Sequence, residues 1–268
     1  MKSPKLLREA FQGRWALVTG ASAGIGLALA EQLAAAGTNL VLTARRKERL
    51  EATASRFEGQ YGIQTCVVAA DIAHPSAPDA LFAATEGAGL VVDVLVNNAG
   101  FGHYGRFAEG DAAWQRRMVE VNCAAVVHLT RLFLPKMIER RRGYVMIVAS
   151  TAAYQPVPYM STYAATKVFD RFLAEALAHE VAEHGIKVSA LCPGPTESEF
   201  HEIAGTRNQF GRGRQSAEEV ARIGLEGLAR GEHWVIPYRA GKAMVLIERL
   251  LPRRFVSGMA AKVFRPKA

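Results

Sequence analysis

The sequence predicts a doubly wound α/β fold, an open parallel sheet held between two layers of helices. Three observations carry that prediction. Short β-branched or apolar runs alternate with longer amphipathic stretches along the whole chain. The short runs are continuously apolar, the pattern of strands buried on both faces. The 268 residues, 50% hydrophobic and 22% charged, suffice for one large core and show no compositional break that would divide them.

"WALVTG" (15–20) reads as the first strand, "IGLALAEQLAAAG" (25–37) as a helix closed by Gly37, and "NLVLTAR" (39–45) as the second strand. "KERLEATASRFEGQYG" (47–62) is the next helix, "TCVVAAD" (65–71) the third strand, and "DVLVNNAG" (93–100) the fourth. Two helical segments then fill 111–142 in outline, followed by the strand "GYVMIVAS" (143–150). "TYAATKVFDRFLAEALAHEVAEHG" (162–185) is a strongly periodic helix, and "KVSALCPG" (187–194) is a strand. In "SAEEVARIGLEGLARG" (216–231) Ser216 and Glu219 stand at capping-box spacing, and "HWVIPY" (233–238) reads as a last strand. Strict β–α alternation requires right-handed crossovers, hence a single three-layer α/β/α domain. The Gly-rich, polar piece from about 193 to 215 is expected to be a mobile lid, within a body of residues 1–240.

The first strand runs into "TGASAGIG" (19–26). Gly20, Gly24 and Gly26 let the backbone turn tightly and approach a pyrophosphate at a helix N-terminus, with Ala21, Ser22, Ala23 and Ile25 between them. This is the Rossmann-like signal for a dinucleotide. "GFGHYG" (100–105) matches the same text pattern, but no periodic helix opens after it, so it reads as a loop over the site. At the end of the second strand a carboxylate would favour NAD. The chain has Arg45 and Arg46 instead, and a guanidinium pairs with a 2′-phosphate, so NADP (NADPH) is expected over NAD.

Hydride chemistry at a carbonyl needs a proton donor beside the oxygen. Tyr163 and Lys167 are four residues apart on a periodic helix, about 400° of rotation, and so share a face. A nearby ammonium favours the phenolate and lowers the tyrosine pKa. Tyr238 and Lys242 repeat the spacing. The first pair is preceded by Ser150 at the C-terminal end of a strand, where ligands bind in open parallel sheets. The second has Gly241 inside it and Leu225 where a serine would stand, and reads as a decoy.

"TGASAGIG", "NNAG", "YAATK" with Ser150 thirteen residues earlier, and "PGPTESEF" together resemble the short-chain dehydrogenase/reductase family in order and spacing over roughly residues 12–240. The resemblance implies Tyr163 as general acid/base, Lys167 as the residue tuning it and binding the nicotinamide ribose, Ser150 as the carbonyl-orienting hydroxyl, and Asn122 as fourth member of a proton relay. It implies Asp71 and Ile72 beside the adenine, Asn98, Ala99 and Gly100 along the cofactor, and Pro193, Gly194 and Thr196 at the nicotinamide end. It further implies a homodimer or homotetramer acting on a small carbonyl compound or secondary alcohol. Family members that use NADP often carry a basic residue inside the glycine loop, where this chain has Ala23. The neighbourhood "AAYQPVPYM" and Phe200 point to an apolar substrate, such as a 3-oxoacyl, steroid-like or small carbonyl compound. The rival readings are an NAD-dependent alcohol dehydrogenase of the same family, and a cofactor-sensing scaffold.

Net charge is +8, but from Arg239 onward eight Lys/Arg face one acid, Glu248, so the basic character belongs to the tail. Residues 241–268 form a basic amphipathic extension interrupted by Pro252. Core or subunit packing, a cover for the substrate pocket, an anionic membrane surface through 243–268 and reception of an anionic substrate such as an acyl-CoA all fit it. No reading motif supports nucleic acid. His179 and His184 are five apart rather than four, so no metal site is expected, and His103 and His201 read as solvated loop residues. Three scattered cysteines, no apolar run approaching about 18 residues and no leader pattern predict a cytoplasmic protein, with peripheral membrane contact left open.

Overall fold

The structure, a computed structural model, describes residues 5–206 and 214–266. In chain order the elements are α1 (Lys5–Phe11), β1 (Trp15–Thr19), α2 (Gly24–Ala35), β2 (Asn39–Thr43), α3 (Lys47–Tyr61), β3 (Thr65–Val67), α4 (Ala77–Ala84), β4 (Val92–Asn97), α5 (Ala112–Val119), α6 (Ala125–Arg140), β5 (Gly143–Val148), α7 (Ser161–Glu180), β6 (Ile186–Leu191), α8 (Phe200–Ile203), α9 (Ala217–Arg230), β7 (Trp234–Val235), α10 (Arg239–Leu250) and α11 (Arg253–Val263). The strands form one sheet in the order β3-β2-β1-β4-β5-β6-β7, and every pairing is parallel. The order reverses between β1 and β4, so a crevice opens beyond their C-terminal ends.

Alternate side chains of each strand enter opposite cores. Ala16, Val18, Leu40, Leu42, Val94 and Val96 join Leu29, Leu33, Phe57 and Leu225 from α2, α3 and α9 on one face. Leu17, Val41, Leu95, Val145 and Ile147 join Leu81, Leu129 and Phe133 from α4 and α6 on the other. This two-sided burial explains why the strands read as unbroken apolar runs. Ser216 caps α9 as its spacing predicts, its hydroxyl accepting from the Glu219 amide at 3.1 Å.

Several boundaries differ from the sequence reading. Of the expected strands 65–71 and 233–238, only Thr65–Val67 and Trp234–Val235 pair, each edge strand meeting its single neighbour over a short register. The two segments within 111–142 are one continuous helical run, Ala112–Arg140, joined through a π-helical turn at Glu120–Ala124. That run is long and apolar enough to cross a membrane by length and composition, against the expectation of none, but 56% of its most apolar window is buried inside the protein. Short helices α1 and α4 escape a periodicity reading because each spans about two turns. Of the segment 193–215, residues 207–213 lie outside the described residues. In the tail Pro252 separates α10 from α11, and the two helices lean over the crevice, with the Tyr104 hydroxyl donating to the Phe264 carbonyl at 2.9 Å.

Candidate active site

The glycine turn is sterically enforced. Gly20 and Gly24 hold φ of +68° and +54°, the left-handed region that favours glycine. A Cβ on Gly26 would overlap the Gly20 carbonyl and the Asn98 amide, so strand and helix touch only because the side chain is absent. The N-cap of α2, Ala23, is extended and offers no side-chain acceptor. Its first backbone N–H groups, at the positive end of the helix dipole, therefore face the crevice with no side-chain partner. Asn98 pins the neighbouring strand end: its Nδ2 donates to the Thr19 carbonyl at 2.8 Å, while the Asn98 and Ala99 amides donate to Thr19 Oγ1 at 2.9 and 3.0 Å.

Arg45 is exposed at the crevice wall, but Arg46 is engaged. Its Nε and Nη2 donate to Ser22 Oγ at 3.2 and 3.0 Å, and its Nη1 donates to Glu199 Oε2 at 2.7 Å. Arg49 Nη1 donates to Glu199 Oε1, also at 2.7 Å. Bonds from Arg49 and Arg46 hold the Glu199 carboxyl below its ordinary range. The sequence reading named neither Arg49 nor Glu199; about 150 residues separate the partners, so no local spacing signals them. Asp71 is likewise engaged, paired with Arg117 and capping the Ala73 amide at 3.1 Å, with Ile72 buried beside it.

At the chemical end, β5 delivers Ser150, the π-helical turn delivers Asn122, and α7 delivers Tyr163 and Lys167, all buried. Ser150 Oγ accepts from the Ala152 amide at 3.1 Å, donates weakly to the Pro193 carbonyl at 3.4 Å, and faces the Tyr163 phenol. The Tyr163 ring packs on Phe200, centroids 5.2 Å apart. Asn122 Oδ1 accepts from the Phe101 amide at 3.2 Å, and its Nδ2 donates to the Phe101 carbonyl and to Thr166 Oγ1, both at 3.0 Å. The asparagine thus holds the loop carrying Gly100 against α7.

Lys167 has a partner that the sequence reading missed. Its Nζ donates to the Val148 carbonyl and to Asp170 Oδ2, both at 2.8 Å, and Asp170 is 1% exposed with Oδ1 buried and unpartnered. Burial pushes the ammonium down, but Asp170 and Tyr163 lift it, leaving Lys167 above its ordinary value. Burial lifts the Tyr163 phenol, Lys167 and Ser150 pull it down, and Asp170 lifts it further; the net lies above the ordinary tyrosine value. The lysine acts in the predicted direction, and desolvation outweighs it. Asp170 stands three residues beyond Lys167 on one helix face, a spacing from which the contact could have been read.

These groups line one cleft of about 970 Å³, which takes in every site residue the sequence singled out except Ala21 and Asn122. Asn122 acts from behind the wall, and Ala21 is buried beneath the turn. "GFGHYG" is the loop over the site that its context predicts, with Gly100 and Phe101 in the lining. Tyr238 and Lys242 form no second centre, since Lys242 is exposed while Tyr238 packs its ring on Gly194, where a Cβ would approach to 2.5 Å, and bonds to Thr151. Tyr238 does line the cleft, a role its reading as a decoy did not foresee. His201 is buried rather than solvated, its Nδ1 2.9 Å from Thr206 Oγ1.

Comparisons with known proteins agree with this architecture. The short chain dehydrogenase family model matches residues 14–208. The chain is 35% identical over 196 residues to the very-long-chain 3-oxoacyl-CoA reductase-B of Danio rerio, covering 70% of this chain and 61% of that protein. It therefore spans about three fifths of the length of that relative. Among solved structures, a short-chain dehydrogenase from Sphingobium yanoikuyae in complex with NADPH superposes with a TM-score of 0.79 at 30% identity, covering 91% of this chain and 95% of that one. A 7beta-hydroxysteroid dehydrogenase superposes with a TM-score of 0.85 at 27% identity, covering 95% and 99%. The chain belongs to the short-chain dehydrogenase family.

Proposed function

We propose that the chain is an NADP(H)-dependent oxidoreductase acting on the carbonyl of an extended apolar ketone or aldehyde, or on the matching secondary alcohol. The observation that carries this reading is the convergence of Ser150, Tyr163 and Lys167 on one wall of an apolar cleft whose other end is a glycine turn.

The residues present fit a dinucleotide phosphate. The glycine contacts leave no room for a Cβ at Gly26, and the uncapped N-terminus of α2 offers N–H groups for a pyrophosphate. Arg45, Arg46 and Arg49 supply guanidinium groups for a 2′-phosphate, which would compete with Glu199 for the last two. The Sphingobium yanoikuyae relative was solved with NADPH, which supports the same choice here. When bound, such a cofactor supplies a hydride. Tyr163, above its ordinary pKa, is the proton donor to the substrate oxygen, and Ser150 orients that oxygen. Lys167 supplies the positive charge that stabilises the phenolate once the proton has left. Asn122 keeps the Phe101 loop in register with α7 so that the cleft floor does not move.

The apolar lining, including Trp114, Val157, Met160, Phe200, Met244 and Met259, favours a long hydrocarbon body over a sugar. The names of the two relatives, one acting on 3-oxoacyl-CoA and one on hydroxysteroids, point the same way. Exposed Val119, Val127, Phe169 and Phe172 on α5, α6 and α7 suit a homodimer or homotetramer. The test is NADPH oxidation across a panel of ketones and aldehydes. Tyr163→Phe keeps the ring on Phe200 and is expected to lose roughly 10²- to 10⁴-fold in kcat. Retained turnover in that variant rejects the mechanism, and faster turnover with NADH rejects the cofactor.

A further inference from the structure

The tail is apolar on more sides than the fold covers. On α11 an inner stripe, Val256 and Ala260, is buried, yet a second stripe of Phe255, Met259 and Val263, four residues apart, is 54%, 52% and 69% exposed. On α10 the same holds for Leu246 at 61%, Ile247 at 56% and Leu250 at 87%. Ile247, Met259 and Val263 also line the cleft, so the exposed apolar surface is the rim of its mouth. Around it Lys242, Arg253, Arg254, Lys262 and Arg265 are exposed, and among the described residues none of them is paired with a carboxylate.

Charge decides what can cover this rim. The residues from Arg239 onward carry a net +7, the 238 before them +1. A second copy seated by two-fold symmetry would bring another +7 tail against the first. A nucleic acid would satisfy the cations but leave six large apolar side chains against phosphate and water. An anionic bilayer answers both needs at once, with lipid headgroups for the cations and the acyl boundary for the apolar stripe. We propose that α10 and α11 seat the mouth of the cleft on an anionic membrane surface, so that apolar substrate enters toward Tyr163 from the lipid. The substrate route rests on the reading of the cleft given above; the docking does not.

The test measures co-sedimentation of the full chain with phosphatidylcholine vesicles, with and without phosphatidylglycerol. Binding is expected to be roughly tenfold or more stronger to the anionic vesicles and to weaken with salt. Leu246→Glu/Leu250→Glu/Phe255→Glu changes exposed positions outside the cleft lining, so turnover of a water-soluble ketone stays at the wild-type level while vesicle binding falls about tenfold or more. Arg254→Glu/Lys262→Glu is expected to lose the preference for anionic vesicles. Wild-type protein that ignores vesicles, or binds neutral and anionic ones equally, overturns the proposal. So does a triple variant that binds vesicles like wild type but elutes as a smaller oligomer, which assigns the face to a second copy. Absence of turnover in wild type, with its vesicle binding intact, would reject the enzymatic reading and leave the docking standing.

Discussion

Replacing Asp170 by Asn removes the carboxylate that faces Lys167 at the proposed catalytic end. Asn keeps an acceptor where Oδ2 accepts from Lys167, so both bonds of the ammonium can persist while the negative charge disappears. Lys167 Nζ lies 6.0 Å from the Tyr163 ring centre and 2.8 Å from Asp170 Oδ2, which puts the carboxylate no more than about 9 Å from the ring. At an effective dielectric of about 20, unit charges about 9 Å apart interact by roughly 2 kcal/mol. Asp170 raises the Tyr163 pKa, so its neutralisation lowers it. If the phenolate is the base, the limb on which alcohol oxidation rises with pH should move down, and the limb on which carbonyl reduction falls should move with it. The assay is the pH profile of kcat for both directions in wild type and Asp170→Asn, with circular dichroism as a check of folding. A purely structural role would lower activity at every pH and leave both limbs in place, and that result would refute the argument. Asp170→Leu, which removes the acceptor of Lys167 as well as the charge, is expected to cost about 3–5 kcal/mol of stability.

Gly26→Ala drives a methyl into the Gly20 carbonyl and the Asn98 amide; it should cost about 1–3 kcal/mol in chemical unfolding and abolish measurable NADPH binding by fluorescence titration. Glu199→Gln releases Arg46 and Arg49 for a 2′-phosphate, so the NADPH-to-NADH ratio of kcat/KM should rise; an unchanged ratio means the arginines do not read that phosphate. Because the Glu199 carboxyl is held below its ordinary value of 4.5, its ion pairs stabilise the fold fully above that pH and are lost as pH falls through the lowered folded value, so the Tm difference between wild type and Glu199→Gln should vanish at the acid end. Burial pushes the Cys123 and Cys192 thiols up to about 12, so iodoacetamide at neutral pH should leave both unmodified by mass spectrometry.

The parts of the site legible in the sequence are those in which one element supplies the geometry. The glycine turn can be read because backbone contact at Gly20 and Gly26 forbids any other residue, and the Tyr163–Lys167 pair because a helix puts i and i+4 on one face. The pair at Tyr238 and Lys242 shares that spacing and even an α-helix start, yet a ring packed on Gly194 and an exposed lysine separate them. Spacing proposes a meeting; burial decides whether it occurs. The Arg46–Glu199–Arg49 cluster lay beyond reach for the opposite reason, since it joins the end of β2 and the start of α3 to the segment before α8 across the crevice. The tail shows both limits. Its periodicity and Pro252 mark two helices, but only packing shows that α10 and α11 form one wall of the cleft.

Reading the pair alone, a lysine one turn away lowers a phenol's pKa. In the fold the same helix face also brings Asp170 to the lysine, and Met118, Val157, Met160 and Phe200 pack around Tyr163 and strip it of water. Net, the phenol is held above its ordinary value. An environment that disfavours the phenolate favours giving a proton to a carbonyl oxygen over taking one from an alcohol. The lysine's charge then matters most after transfer, when a buried phenolate would otherwise stand with no cation in reach. Asp170, bonded to the same ammonium, opposes that charge at Tyr163, so in the proposed mechanism it acts with Ser150, Tyr163 and Lys167.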